Sequence, residues 1–364
     1  MNLQRLIGTD EAGYGPNLGP LVIGCSCWDV TTDQDSNLDL YRRLAPLVTA
    51  NGKPTASNDS YGKHIQIADS KQVYRSGNLK RLERNVLAII GSTSGEIPRT
   101  GFDLLRWIMP APDWEALINT FWLAPFFPDN RKELGLRGSA GCGGYSQSAG
   151  GKIPTNTFSL DPPPFPIESN RLEVEKLATE FSKQCEVAGV QLSTIQCRVI
   201  LPTGFNQMLS QWGNKAELLS HCTLDLIRGA WANGPPSAVD IHCDKHGGRS
   251  HYAGLIQHFL GDGLVIVENE TRAVSRYRFR SGKYPATITF SARGESFLSI
   301  ALSSMVAKYL REYLMELWNR YWQIHLPNIK PTQGYPVDAR RFLLDIEETL
   351  KVMNVPLDTI WRRK

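Results

Sequence analysis

"GTDEAGYGPNLGPLVIG" (residues 8–24) sets two acids, Asp10 and Glu11, at the end of an apolar run and follows them at once with glycines and prolines. "QRLIGTDE" reads as one strand and "GPLVIGCSCWDV" as the next, with the Gly/Pro-rich segment as the turn between them. Taken alone, an acidic pair beside a turn is a surface feature. Two other places repeat the arrangement: Asp244 ends the apolar run "SAVDIHCD" just before Gly247-Gly248, and Glu295 follows "ATITFSARG" directly after Gly294. If those strands are neighbours in one sheet, four carboxylates converge at the edge where α/β sheets place their ligands.

Four unpaired anions repel one another, and hard divalent cations resolve the conflict, because Mg²⁺ takes oxygen ligands and completes its shell with water and substrate phosphate. Two such ions about 4 Å apart can activate a water on one side of a phosphodiester and stabilise the leaving oxygen on the other. Asp240 competes with Asp244, since period-two alternation puts Asp240, His242 and Asp244 on one strand face. Asp244 is preferred because the strand ends there and glycines follow. Asp10 and Glu11, being consecutive, face opposite ways on a regular strand; a twist at Ala12-Gly13 is expected to turn both inward.

The remaining chain alternates helices with strands. Leu79, Leu82, Val86 and Ile89 or Ile90 repeat at helical spacing, so a helix is expected to end at Gly91. An amphipathic helix near 170–187, a strand at "VQLSTIQCRVIL" and a long helix from about 205 to 231 follow. Then come a helix around "YAGLIQHFL", strands at "GLVIVENE" and "ATITFSARGE", a helix from "SFLSIALSSM", and a last helix after "QGYPVDARR". This order predicts an α/β sheet covered on both faces. Residues 91–168 read as an insertion ending in a Gly-, Ser- and Pro-rich tract. Its earlier part, "FDLLRWIMPAPDWEALINTFWLAPFF", is too aromatic for a linker and is expected to pack on the core.

Composition narrows the classes. The chain has 364 residues, 41% hydrophobic content and a formal charge of +4, which suits a globular protein and by itself does not establish nucleic-acid binding. No long apolar run and no signal-peptide pattern appear, so a cytoplasmic protein away from membranes is expected. The seven cysteines lack zinc-ligand spacing and read as reduced core thiols. "TRAVSRYRFRSGK" (271–283) carries five basic residues and no acid. Period-two spacing puts Arg276, Arg278 and Arg280 on one strand face, with Tyr277 and Phe279 opposite. Two readings stay open for it: a charged edge strand or a phosphate-tracking ribbon.

"TDEAGYGPNLGPLVIG" resembles the first motif of the ribonuclease HII (type 2 ribonuclease H) family, D-E-A-G-R-G-P followed by G-P and an apolar strand. "ADSK" (68–71) is similar to its D-S-K motif, and "NKAELLSHCTLDLI" (214–227) to its N-L-x-x-L-S-H helix. "VDIHCDKHGG" is similar to the strand of the third acid. "GESFLSIALSSMVAKYLRE" is similar to the fourth acid with its A-K-x-x-R-[DE] helix, and "QGYP" to its G-Y-P-x-D, with Asp338 completing it. Six motifs in order identify an atypical member with a large insertion.

The resemblance implies a ribonuclease H-like mixed α/β sheet flanked by helices, with a C-terminal helical extension. It divides the chain into a catalytic domain (1–90 and 169–325), the insertion (91–168) and a substrate-binding helical segment (326–364). It implies endonucleolytic hydrolysis of the RNA strand of RNA/DNA hybrids, or at single ribonucleotides in duplex DNA, giving 5′-phosphate and 3′-hydroxyl ends, with Mg²⁺ or Mn²⁺ and as a monomer. Asp10, Glu11, Asp244 and Glu295 are the implied metal-binding acids. Lys71, Lys308 and Arg311 are implied phosphate contacts, Ser70 and Lys308 having a cap and a solvated charge as their plainer readings. Gly13, Tyr14, Gly15 and Tyr335 would read the 2′-hydroxyl. Tyr14 stands where the family usually has arginine, and Glu295 where it has aspartate. The competing expectation is a hybrid-binding protein of the same fold with altered catalysis. A small-molecule phosphohydrolase would need a closed pocket, and no G-x-S-x-G elbow supports a serine hydrolase.

Overall fold

The computed structural model describes residues 2–32, 38–50, 64–74, 79–128, 160–231, 238–282 and 284–363. Strand β1 (Asn2–Ala12) carries Leu6 on one face and Ile7 on the other, both buried, and β2 (Leu21–Thr32) is buried almost throughout, as central strands are. A short parallel pair, β3 (Val48–Thr49) and β4 (Ile65–Gln66), lies apart from the main sheet. The other strands are β5 (Val190–Ile200), β6 (Ala238–Asp244), β7 (Ile266–Glu270), β8 (Val274–Ser281) and β9 (Tyr284–Ser291). The main sheet has seven strands in the order β5-β2-β1-β6-β9-β8-β7. β1 runs antiparallel to β2 and β2 to β5, β6 is parallel to both β1 and β9, and the β8 and β7 pairings are antiparallel. This mixed sheet, flanked by helices and followed by C-terminal helices, is the expected fold class.

The helices are α1 (Leu40–Arg43), α2 (Ser70–Val73), α3 (Leu79–Ser94), α4 (Gly101–Ile108), α5 (Ala111–Ile118), α6 (Arg171–Val187), α7 (Pro202–Trp212), α8 (Lys215–Trp231), α9 (Ala253–Phe259), α10 (Leu298–His325) and α11 (Pro336–Val352). None among the described residues is long and apolar enough to cross a membrane. Three expectations need correction. The single helix at 205–231 is two, because Gly213 takes a left-handed φ of 80° and ends α7. The helix expected to stop at Gly91 runs to Ser94. The stretch between β2 and residue 66, whose polar sequence reads as loop, contains α1, β3 and β4. Within 91–128, Phe102, Leu105, Trp114 and Trp122 are buried in the core shared with α10. The Gly/Ser-rich tract up to residue 159 lies outside the described residues. Cys25, Cys27, Cys185, Cys197, Cys222 and Cys243 are buried free thiols, and Cys142 also lies outside the described residues.

Two hydrophobic cores sandwich the sheet. One contains Leu6, Trp28, Leu302 and Trp318; the other contains Ile7, Ile23, Leu219, Ile241 and Phe290. Helix α10 lies on the first face nearly touching the sheet. A Cβ on Gly8 would stand 2.2 Å from the Ser299 carbonyl carbon, and one on Gly24 would stand 2.4 Å from the Ser303 oxygen. The approach is closed by Ser303 Oγ donating to Gly8 O at 2.9 Å and Ser26 Oγ donating to Ser299 O at 2.8 Å. Small residues at Ser299, Ser303 and Ala307, one helical turn apart, make this contact possible, and it sets α10 beside the end of β1.

Candidate active site

The ladder between β1 and β6 stops at Thr9↔Cys243, whereas β1 stays paired with β2 through Ala12↔Val22. Asp10 and Glu11 therefore emerge where β1 has lost its neighbour on the β6 side, and Asp244 closes β6 one residue past its last partner in β1. Glu295 does not end a strand as expected. It sits on a single 3-10 turn, Gly294–Ser296, reached through Arg293 in the left-handed region at φ 66°. The turn is held to β6 by Gly294 N donating to Asp244 Oδ1 at 3.3 Å. The turn expected at Ala12-Gly13 comes after the pair: Asp10 and Glu11 stay in regular pairing with Gly24 and Ile23, and the chain leaves the ladder at Gly13, with φ 87°. Strand alternation puts the two carboxylates on opposite faces, and they share the open flank of the strand.

Electrostatics confirms the crowding. Burial pushes the Asp10 carboxyl up to about 7, with Asp244 and Glu295 adding to the rise and the Ser304 hydroxyl and Glu11 amide opposing it. Burial likewise holds Glu11 well above the usual glutamate range, reinforced by Asp10 and Asp244 and opposed by Lys71. Asp244 is raised by burial and by Glu295, against the Gly294 amide and Lys71. Each acid thus lies within the field of its neighbours. Lys71 is a cation that faces them, and it is exposed.

Lys71 is placed by a relay that sequence reading missed. Asp69, not Ser70, caps α2, accepting from Lys71 N at 2.9 Å. Ser70 instead shares a hydroxyl–hydroxyl hydrogen bond of 3.1 Å with Ser304, which also stands beside the Asp10 carboxyl. The signal was the serine-rich start of α10, legible only as packing. Asp240 lies elsewhere: it accepts from Gln4 Nε2 at 2.7 Å and from the Thr287 hydroxyl. Two neutral donors satisfy it, and Asp244 holds the place near the other acids.

The turn after Glu11 is built for close approach. Gly13 has φ 87°, and a Cβ there would stand 2.6 Å from both Pro20 O and Arg311 Nε, whereas one on Gly15 would meet nothing within 4 Å. Tyr14 directs its hydroxyl toward Gly247, whose added Cβ would lie 3.2 Å from it, and Lys215 Nζ sits 6.0 Å from the Tyr14 ring centre. Burial and Glu11 raise the Tyr14 phenol above its ordinary value.

Two expected phosphate contacts turn out to be engaged within the protein. Arg311 is 1% exposed; it donates to Gln333 O at 2.7 Å and lies over the Tyr335 ring at 5.9 Å. It braces Gly13 and Tyr335 from behind. Lys308 pairs with Glu312 at 2.7 Å and lies 4.5 Å from the Tyr74 ring centre. Tyr335, half exposed, opens α11. It is tied to the turn through Gly334 O, which accepts from Asn17 N at 2.9 Å and Leu18 N at 3.2 Å.

No set of three or more His, Cys, Asp or Glu side chains among the described residues is drawn into a ligand shell around a metal position. The donor chemistry nonetheless suits a hard cation. Asp10, Glu11, Asp244 and Glu295 offer only carboxylate oxygens, three of them are disfavoured as anions by burial and by one another, and Lys71 stands at the rim.

No protein-family model matches the chain, and comparison with curated proteins gives no match. Among solved structures, the chain is similar to the ribonuclease H2 from Pyrococcus horikoshii OT3, at 15% identity and a TM-score of 0.39, covering 98% of this chain and 92% of that one. It is similar to RNase HII from Archaeoglobus fulgidus, solved in complex with PCNA, at 11% identity and a TM-score of 0.38, covering 99% and 94%. For Bst-RNase HIII, solved with Mn²⁺, the values are 15% and 0.34, covering 99% and 66%. Likenesses of this degree carry no argument about activity, which rests on the residues above.

Proposed function

We propose that the protein is a metal-dependent endoribonuclease of the ribonuclease HII type, cutting the RNA strand of RNA/DNA hybrids or single ribonucleotides embedded in duplex DNA. The observation that carries this reading is the gathering of Asp10, Glu11, Asp244 and Glu295, from three distant parts of the chain, at the open end of the β1–β6 ladder. Asp10, Glu11, Asp244 and Glu295 would hold Mg²⁺ or Mn²⁺, which when bound supplies an activated water and charge stabilisation at the phosphodiester.

The chain's own groups do the rest. The Glu11 amide fixes the Asp10 carboxylate, donating to Oδ1 at 2.8 Å, with Ser304 beside it. Lys71, exposed beside the acids, meets the incoming phosphate and offsets negative charge as the strand docks. The open space over Gly15 lets a sugar approach the main chain, whose N–H and C=O groups can pair with a 2′-hydroxyl. Tyr335, braced by Arg311, closes the other side of that sugar. Cleavage of the P–O3′ bond leaves a 3′-hydroxyl on one fragment and a 5′-phosphate on the other.

The test uses a DNA duplex with one ribonucleotide and a full hybrid, each with Mg²⁺ and with Mn²⁺. Cleavage that disappears in Asp10→Asn and Asp244→Asn is the expected result. Salt-sensitive binding of both substrates with no cutting under any condition would favour the hybrid-binding alternative.

A further inference from the structure

The arginine-rich segment is absorbed by none of the chemistry above, and the fold decides between its two readings. Edge protection requires the charges to sit on the outermost strand, which is β7; the arginines are on β8, which is hydrogen-bonded on both sides by β7 and β9. β7 itself exposes Ile266 and Val267. Something other than edge protection accounts for Arg276, Arg278 and Arg280.

Register shows where they point. Asp244 pairs with Ser291, His242 with Thr289 and Asp240 with Thr287, and across β9 these pair with Val274, Arg276 and Arg278 in turn. The arginines therefore share a sheet face with Asp244, in rows that begin one step from it. Helix α10 covers β1 and β2 and reaches only to β6, so among the described residues no helix lies over this face of β8 and β9, and all three arginines are exposed. Tyr277 and Phe279, facing the other way, are buried in the second core. The hairpin is anchored to the catalytic loop: Lys245, next to Asp244, donates to Thr271 O at 2.6 Å and to Ser275 Oγ at 3.0 Å.

The face is cationic and carries an aromatic step. Glu268 lies 3.0 Å from Arg276 and 3.5 Å from Arg278, and Asp240 is satisfied by neutral donors. Arg272 and Arg293 are exposed at the end of the hairpin nearest the acids, which brings five arginines onto and beside this face. Where the face joins the site, Phe297, 41% exposed, stacks on His242 with ring centres 4.0 Å apart and planes 16° from parallel. The span from Arg276 to Arg280 is about 14 Å at strand rise, the axial length of about four base pairs.

Resting on the proposed function, we infer that the open face of β9, β8 and β7 is a second contact surface for the substrate duplex. It takes the phosphate backbone beyond the cleavage site on Arg276, Arg278 and Arg280, with Phe297 as the stacking step between the two surfaces. Length of duplex becomes a determinant of binding.

The experiment measures affinity of the full chain for RNA/DNA hybrids of about 8 and about 20 base pairs over a range of salt in Ca²⁺, alongside cleavage of both in Mg²⁺. The triple change Arg276→Gln, Arg278→Gln, Arg280→Gln is expected to weaken binding of the long hybrid about tenfold or more, to lower its salt slope by about 2–3, and to spare cleavage of the short one. Glu268→Gln, which removes the carboxylate shared by two of the arginines, is expected to tighten long-hybrid binding. An unchanged salt slope in the triple variant, no effect of Glu268→Gln, or equal binding of polyglutamate would overturn the inference even if cleavage is intact. Absence of cleavage by the unmodified protein would instead strike the proposed function.

Discussion

Arg311 lies so close behind Gly13 that a methyl group on the glycine would stand 2.6 Å from its Nε. One buried guanidinium thus supports the turn that follows the first two acids and, through its contact with Tyr335, the start of α11.

The two glycines flanking Tyr14 should respond differently to alanine. Gly13→Ala meets both a left-handed φ and the Arg311 and Pro20 contacts, so it is expected to cost about 1–3 kcal/mol, read as a lower thermal midpoint. Gly15→Ala enters open space and should leave that midpoint unchanged while raising KM for ribonucleotide substrates. Equal thermal shifts for the two would contradict this account of the turn.

Asp10→Asn should abolish turnover, by about a thousandfold or more, equivalent to about 4 kcal/mol on the barrier, while stabilising the fold in chelator. The sign follows from its raised carboxyl. Between about 3.9, where a free aspartate titrates, and about 7 in the fold, the native state binds the extra proton. Stability from this group therefore falls as pH rises through that window. Unfolding of wild type and variant at pH 5 and pH 8 should show the variant's advantage growing at the higher pH; a constant difference would contradict it.

Lys71→Ala should raise KM for the nucleic acid and lower the Mg²⁺ concentration needed for half-maximal rate. The exposed ammonium that attracts phosphate also opposes cation binding at Glu11 and Asp244. Both values rising together would show that Lys71 acts in another way.

Lys308→Ala is expected to act on stability first. Glu312, 6% exposed, would retain the Tyr74 hydroxyl at 3.0 Å and Arg311 at 3.3 Å but lose its 2.7 Å partner, at a cost of about 1–2 kcal/mol. A large KM change with no thermal shift would return Lys308 to the phosphate.

Burial of His246 holds its imidazole down at about 3, where Ser220 Oγ meets Nδ1 at 2.8 Å. Below about 6.5 the unfolded chain takes up a proton that the native state refuses. The fold should lose stability from pH 6.5 toward 3, and His246→Gln should flatten that slope in denaturant titrations.

Much of the arrangement was legible because it repeats at short range. The alternation of Arg276, Tyr277, Arg278, Phe279 and Arg280 gave both faces of β8, and the apolar runs before Asp10 and Asp244 gave their strands. What escaped depends on contacts across the fold. Arg311 reads as a surface cation until Gly13 and Gln333 are brought against it. Glu295 reads as a strand end until Arg293 takes a positive φ. The break at Gly213 rests on its left-handed φ of 80°, and the contacts from Ser70 through Ser304 to Asp10 join residues more than 200 positions apart.

Leu18 forms an antiparallel bridge with Trp361, and Asn17 exchanges two hydrogen bonds with Arg362, its carbonyl accepting at 2.8 Å and its amide donating at 3.1 Å. The turn beside the first two acids is thus fastened by residues translated more than 340 positions later. On the ribosome that turn stays unlatched until Trp361 and Arg362 have emerged, long after Asp10 and Glu11 have left the tunnel.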